Sequence, residues 1–371
     1  MTMIKSVFLE RFKCFKQNTE IPLSAVTIMY GKNGRGKSTV SQSLLLLAQS
    51  MRKSNNLHEL IINGDLVKLG SFEELLSNSE GDSFSIGINS DDENIVVQFS
   101  RAEGLPGAGR ISRLNVNNEE RLDIISGSGN SNGDDSLSGI SPTSDVKLLQ
   151  SIRNCMYVSA DRNGPVNSQK KVFTSNHLLL DPLGDNVIQV IAQQDPPFLS
   201  RLRRALSEVM SGAHLSIPNT ETDYLELRLN SSDGDISFKP VNVGFGYSYV
   251  LPVVVASLLA EKGSVLIVEN PEAHLHPGAQ SRLTKLLIDN AVSQEYQLII
   301  ESHSDHVVNG MRIAVKEGHI KPKSCLIDYF YTDSESGKAS KEVITCDKNG
   351  TLSSYPDDFM DEWTLQLLQL V

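Results

Sequence analysis

Cysteine is scarce. Cys14, Cys155, Cys325 and Cys346 are the only four in 371 residues, and no two stand in a C-x-x-C spacing. That excludes a zinc knuckle or a disulfide framework and fits a reducing compartment. Long apolar runs are lacking as well: the longest, Val250 to Ala260, is about half of what a membrane span requires. The opening MTMIKSVFLERFKCF holds no signal-peptide core. A soluble, cytoplasmic protein with no membrane partner is expected. Basic charge is in deficit, with 34 Lys and Arg against 45 Asp and Glu and a formal charge of −11. A surface that coats nucleic acid throughout is thereby excluded, although a local basic patch is not. No heptad pattern persists long enough for a coiled-coil arm, and there is no internal repeat.

What is there is ordinary for a folded chain: 39% hydrophobic and 21% charged residues. Ile4–Phe12, Asn18–Leu23 and Ala25–Tyr30 read as strands, followed by a Gly-rich loop and a helix with an apolar face through Leu44, Leu45, Leu47 and Ala48. Hairpins are expected for Ser83–Asn89 with Asn94–Ser100, Arg113–Asn115 with Arg121–Ile125, and Thr222–Leu229 with Ile236–Lys239. The stretch 126–144 is Gly/Ser/Asp-rich and reads as a surface loop. Two helices, Asn186–Gln193 and Leu199–Met210, flank an Asp-Pro-Pro break. Then helices at Ser248–Ala260, Gly278–Ala291 and Asp305–Lys316 alternate with strands at Val265–Glu269 and Gln297–Glu301, the pattern of a parallel α/β sheet. Strands at Cys325–Tyr331 and Glu342–Cys346 and a short amphipathic stretch complete the chain.

The sharpest chemical signal is Gly31-Lys-Asn33-Gly34-Arg-Gly36-Lys37-Ser38, a complete G-x-x-x-x-G-K-[ST] between an apolar strand and a helix. Successive N–H groups in such a loop, with the helix N-terminus, cradle phosphates. Lys37 would reach the β/γ-phosphates of ATP, Ser38 would hold Mg2+, and Thr39 can assist at the helix start. Val265-Leu-Ile-Val-Glu269-Asn270-Pro-Glu272 is an apolar strand ending in acids, a Walker B arrangement. One acid, Glu269, would stand behind the metal, and a second would orient the attacking water. Another apolar strand, Gln297–Glu301, delivers His303, whose ring can sense a γ-phosphate. Gly244-Phe-Gly246-Tyr-Ser248 leads into a helix and can bring backbone N–H groups to phosphate.

In this order the motifs have a family look. IKSVFLERFKCFKQNTEIPL through the P-loop resembles the ABC-type ATPase heads of the SMC, Rad50, RecF and OLD group. NVGFGYSYVLPVVVASLLAEKGSVLIVENPEAHLHPGAQ and IIESHSDHVVNGMRIAVKEG resemble a bacterial AAA-labelled branch of that group, and YPDDFMDEW its small C-terminal extension. The resemblance implies a P-loop NTPase of α/β class: an ABC-type head with a mixed or parallel sheet, an antiparallel β lobe and a helical subdomain. Residues 1–320 would form the head, with the helical part near 184–212, and 321–371 the extension. It further implies a head-to-tail dimer, or a higher homo-oligomer, sandwiching two ATP. Gly244, Gly246 and Ser248 would be the signature, residues 273–277 the connecting loop, His303 the switch histidine, and Leu66–Ser71 the place of the Q-loop.

Asn270 departs from that pattern by standing where the catalytic glutamate is usual, and an amide accepts no proton. Glu272, the next free acid, is expected to take the role in a slow ATPase. The implied function is an ATP-driven switch or sensor controlling an effector such as a nuclease in bacterial anti-phage defence. Its rivals are a RecF- or Rad50-like ATPase acting directly on DNA and an ATP-clamped scaffold without turnover. His274 and His276 lack a third metal ligand at suitable spacing. Arg162 reads equally as a phosphate contact or a structural ion pair. Arg201, Arg203, Arg204, Lys170 and Lys171 read as a charged face rather than a nucleic-acid patch.

Overall fold

Among the residues described by the computed structural model, six strands form a central sheet. Their order is Ala339–Ile344, Cys325–Thr332, Val26–Gly31, Gln297–Ser302, Val265–Glu269 and Met156–Val158. The described residues are 2–53, 57, 59–77, 81–121, 146–164, 166–174, 178–218, 222–230, 236–332 and 339–370. The expected loop 126–144, the turn at 231–235 and the return strand beyond 121 lie outside them. All neighbours in the sheet run parallel except the edge strand Ala339–Ile344. Parallel strands buried on both faces need continuous apolar sequence, and AVTIMY, VLIVE and QLII supply it.

Side chains alternate between two cores. Val26, Ile28, Leu266, Val268, Leu298 and Ile300 face helices Phe245–Leu259, Pro277–Gln294 and Asp305–Lys316. Met29, Val265, Ile267 and Ile299 face the helix Lys37–Lys53 and a second, antiparallel sheet. That helix lies between the two layers, so Leu44 through Ala48 are all buried rather than lining one apolar stripe. The second sheet runs Thr19–Pro22, Ser6–Glu10, Ser83–Asn89, Asn94–Arg101, Gly109–Val116 and Glu119–Glu120.

Local corrections have local causes. The third hairpin strand begins at Gly109 and turns at Asn117 and Asn118, both at positive φ (52° and 67°), so its return is Glu119–Glu120. The expected hairpin Thr222–Leu229 with Ile236–Lys239 reduces to a single bridge, Leu229 with Phe238. Tyr224–Glu226 instead pairs with Ser168–Lys170, and Arg228–Asn230 with His214–Ser216. The expected break between two helices is present, after Val187–Ala192, but the second helix starts earlier than Leu199: Asp195 accepts a hydrogen bond from the Phe198 N–H, and both prolines sit in the first turn of Pro196–Val209.

The strand Cys325–Thr332 lies directly beside the P-loop strand, and the segment after it closes over the same edge. Lys32 pairs with Asp358 at 2.7 Å, the Tyr329 hydroxyl donates to the Asp357 carbonyl, and the Phe359 ring meets Tyr30 edge-on. Lys32 and Asp358 are both more than half exposed. Asp358→Asn, which removes the charge but suits the left-handed φ of 62° at this position, is therefore expected to cost at most about 1 kcal/mol, read as a small drop in melting temperature that vanishes at high salt.

Candidate functional site

The carboxyl ends of three neighbouring strands converge where the P-loop turns into its helix. Gly31, Gly34 and Gly36 hold φ of 131°, 71° and 109°, values that glycine adopts freely. Gly31 also passes so close to the Phe330 backbone that no side chain fits. Lys37 is buried and folds over the loop, donating to the carbonyls of Gly31 (2.9 Å) and Lys32 (2.7 Å). Burial holds its pKa below the ordinary lysine value, against the attraction of Glu301. Asn33 and Gly34 are exposed at the loop's tip, and Thr39 is buried in the first helical turn.

Ser38 does not meet Glu269. Its hydroxyl donates to Glu301 Oε1 at 2.6 Å. Glu301 is paired in register with Met29 on one side and Glu269 on the other, so it stands between the two motifs. Burial, then the neighbouring Glu269, pushes its carboxyl above the ordinary range, while Ser38 and Lys37 oppose the shift. Glu269 Oε2 accepts from the Tyr157 hydroxyl at 2.8 Å and the Ala160 N–H at 3.3 Å. Its pKa is raised chiefly by burial. Ser38, Tyr157 and Glu269 nevertheless line one cleft of about 790 Å³, together with Gly64–Leu69. The segment expected to hold the Q-loop contains no glutamine. Gln49, from the P-loop helix, holds it instead, bonding the Ile61 carbonyl and the Val67 N–H.

Glu272 reaches from the turn after Glu269 to the histidine loop, where Oε1 accepts from the Ser302 hydroxyl (2.8 Å) and the His303 N–H (3.1 Å). His303 has an exposed ring, with a pKa lowered by partial desolvation and by Lys37. Asn270 sits at φ 44° and donates its N–H to the Glu301 carbonyl. Arg162 fixes this turn. Its buried guanidinium donates to the carbonyls of Ser159, Glu269 and Asn270 at 2.6–2.7 Å. Burial lowers its pKa to about 10, with Glu272 and Glu269 opposing. Arg162 thus bonds main-chain carbonyls rather than forming an ion pair.

Gly244, Gly246 and Ser248 do not join this cluster within the chain. They open the helix Phe245–Leu259, where Gly246 lies against the His274 carbonyl and Phe245 is exposed. His274 packs on Tyr249, and His276 caps the helix Pro277–Gln294 by accepting the Gly278 N–H. Both histidines therefore have packing or capping roles. Arg203 donates to the Leu215 carbonyl and Arg201 lies over Phe198, as a charged helix face does.

Sequence reasoning missed Glu301 and Tyr157. Glu301 stood in the ESH string, but which strand it would neighbour was not legible. Five buried polar atoms of this region have no hydrogen-bond partner among the described residues: Arg35 Nε, Arg162 Nε, Asn270 Oδ1, Glu272 Oε2 and Glu301 Oε2. Native interiors rarely leave such atoms unmade. Acceptors beside a phosphate-shaped loop fit a site for a nucleotide with its metal and a water. No helix of the described residues is long and apolar enough to cross a membrane.

Comparison with known proteins agrees with this geometry. Residues 26–309 match the family described as "AAA domain, putative AbiEii toxin, Type IV TA system", and residues 320–370 match a family of unknown function, DUF3696. The chain is 22% identical over 325 residues to an OLD nuclease of Thermus scotoductus, covering 81% of this chain and 59% of that one. It therefore spans less than two thirds of the curated relative it matches. A crystal structure of the SmcHead bound to the C-winged helix domain of ScpA superposes with a TM-score of 0.54 at 15% identity, covering 92% of this chain and 97% of that one. The expected fold, an ABC-type P-loop ATPase head of α/β class, is thus the observed one.

Proposed function

Since the chain belongs to the AAA-domain family whose description names a type IV toxin–antitoxin system, we propose that it binds ATP with Mg2+ and hydrolyses it slowly as a dimeric switch. The switch would control a partner effector, such as a nuclease, in defence against phage. The observation that carries the ATPase reading is the convergence of Lys37, Ser38, Glu269, Glu272 and His303 at the ends of three parallel strands. Ligands of such sheets bind at the carboxyl edge.

The work falls on positioning and charge neutralisation. Lys37 and the loop N–H groups would bind the phosphates, and Ser38, with Glu269 across the same cleft, would hold Mg2+. The metal would supply neutralisation of developing charge. Asn270 accepts no proton, whereas Glu272 has one oxygen tied to the histidine loop and Oε2 free of partners among the described residues. That oxygen is suited to take a proton from water and to report the event to His303 through their shared contact. The signature residues Gly244, Gly246 and Ser248, unused within the chain, are suited to close a second subunit's nucleotide. The likeness to an OLD nuclease supports an effector in the same system.

Glu272→Gln is expected to lower ATP turnover about ten- to a hundredfold while ATP binding and ATP-dependent dimerisation persist. Phosphate release and light scattering on the same samples measure both. Unchanged turnover removes Glu272 from the role. Salt-sensitive DNA binding that ATP strengthens would move the function toward DNA maintenance.

A further inference from the structure

Glu301 is a charged group whose geometry the reading above leaves unexplained. It ends the strand between the P-loop strand and the Glu269 strand, and its side chain crosses to the P-loop. One carboxylate oxygen receives the Ser38 hydroxyl at 2.6 Å. The other is buried and has no partner among the described residues. An orphaned buried carboxylate oxygen is unfavourable enough that such atoms regularly mark an ion or a reacting group.

Neither neighbouring acid is bonded to Ser38. Glu269 is held by Tyr157 and Ala160, and Glu272 by Ser302 and His303. Gln49, the glutamine nearest the expected Q-loop, is occupied with the backbone of Ile61 and Val67. Ser38 Oγ and the Glu301 carboxylate are two hard oxygens already in contact. Among the described residues no group of three His, Cys, Asp or Glu can hold a metal by itself. Mg2+ asks for no such cage: it takes one or two carboxylates and completes its shell with water and substrate phosphates.

We infer that Glu301 binds the nucleotide's Mg2+ directly, alongside Ser38, and thereby makes nucleotide binding itself depend on the metal. The inference rests on the ATPase reading. Its physical basis is that a carboxylate facing a polyphosphate in a half-buried site repels it unless a divalent cation lies between them. With Mg2+, the carboxylate and the phosphates share one cation. Without it, the same carboxylate excludes the phosphates from the P-loop. An uncharged side chain at this place would impose no such condition.

The test is equilibrium binding of a non-hydrolysable, fluorescent ATP analogue to the full chain, in mildly alkaline buffer, with Mg2+ or with EDTA. The wild type is expected to bind at least about tenfold more weakly in EDTA. Glu301→Gln keeps the shape and an oxygen for Ser38 but loses the charge. It is expected to bind within about twofold in the two buffers, with EDTA binding tighter than the wild type's. Mn2+ paramagnetic resonance on the nucleotide complex supplies a second readout, expected to show weaker Mn2+ retention in Glu301→Gln. Glu301→Thr, a smaller neutral side chain, is expected to behave alike and guards against one variant misfolding. Metal-independent binding by the wild type, or undiminished metal dependence in both variants, overturns the assignment of Glu301 alone. Failure of the wild type to bind nucleotide in either buffer overturns the ATPase reading, and this inference with it.

Discussion

Lys37→Ala is expected to abolish measurable ATP binding at micromolar nucleotide and to lower turnover by about a thousandfold or more. Lys37 is turned inward over the P-loop, where it bonds the Gly31 and Lys32 carbonyls. A phosphate entering the loop would exchange those neutral acceptors for a charged one, the stronger kind of hydrogen bond. The fold should survive the change. Burial already holds the Lys37 pKa below its ordinary value, so the charged form is disfavoured in the free protein. Removing that cation is expected to leave thermal stability without nucleotide unchanged or slightly higher. The pair of measurements is therefore decisive: nucleotide titration should fail while the melting temperature holds. Normal ATP affinity in Lys37→Ala would sink the whole functional reading.

The second large effect concerns the backbone. In Gly31→Ala the added Cβ would stand 2.0 Å from the Phe330 carbonyl oxygen and 2.9 Å from its carbon, at a φ of 131°. Neither obstacle is a flexible side chain, since Phe330 is paired with Gly31 in the sheet. Relief requires moving the strand Cys325–Thr332 away from the P-loop strand. Backbone strain and overpacking together predict a loss of about 2–6 kcal/mol, read by urea unfolding, with ATP binding lost as Lys37 loses its support. Gly34→Ala is the control. Gly34 also has positive φ (71°), but nothing lies within 4 Å of an added Cβ. Only the left-handed penalty of about 1–2 kcal/mol should appear. Equal losses in the two variants would show that the close approach at Gly31 is not what matters.

Much of this architecture is legible in the sequence. The strand Val265–Glu269 and the helix Asp305–Lys316 fall where apolar pattern and capping residues put them. Ser304 caps that helix by accepting the His306 N–H. The misplaced parts are those where several local readings competed. Thr222–Leu229 was alternating enough for a hairpin, yet its two halves pair with different partners, because strand pairing is settled by which apolar face can be buried. At Asp195-Pro-Pro the break between two helices is present, and the Asp195 cap with the two prolines brings the second helix's start forward from Leu199 to Pro196.

The sequence by itself determined the P-loop, the strands that lead to it and the acids and histidine near it. Glycine dihedrals, apolar runs and caps act over a few residues, so they can be read from a few residues. Only the tertiary structure decided what those groups touch. Glu301 reaches Ser38, Glu269 turns to Tyr157, Glu272 holds the histidine loop, and Arg162 bonds the turn's carbonyls. These contacts join segments far apart in the chain. They follow from the order of parallel strands, which is set by burying both faces of the sheet at once and leaves no mark in any one segment.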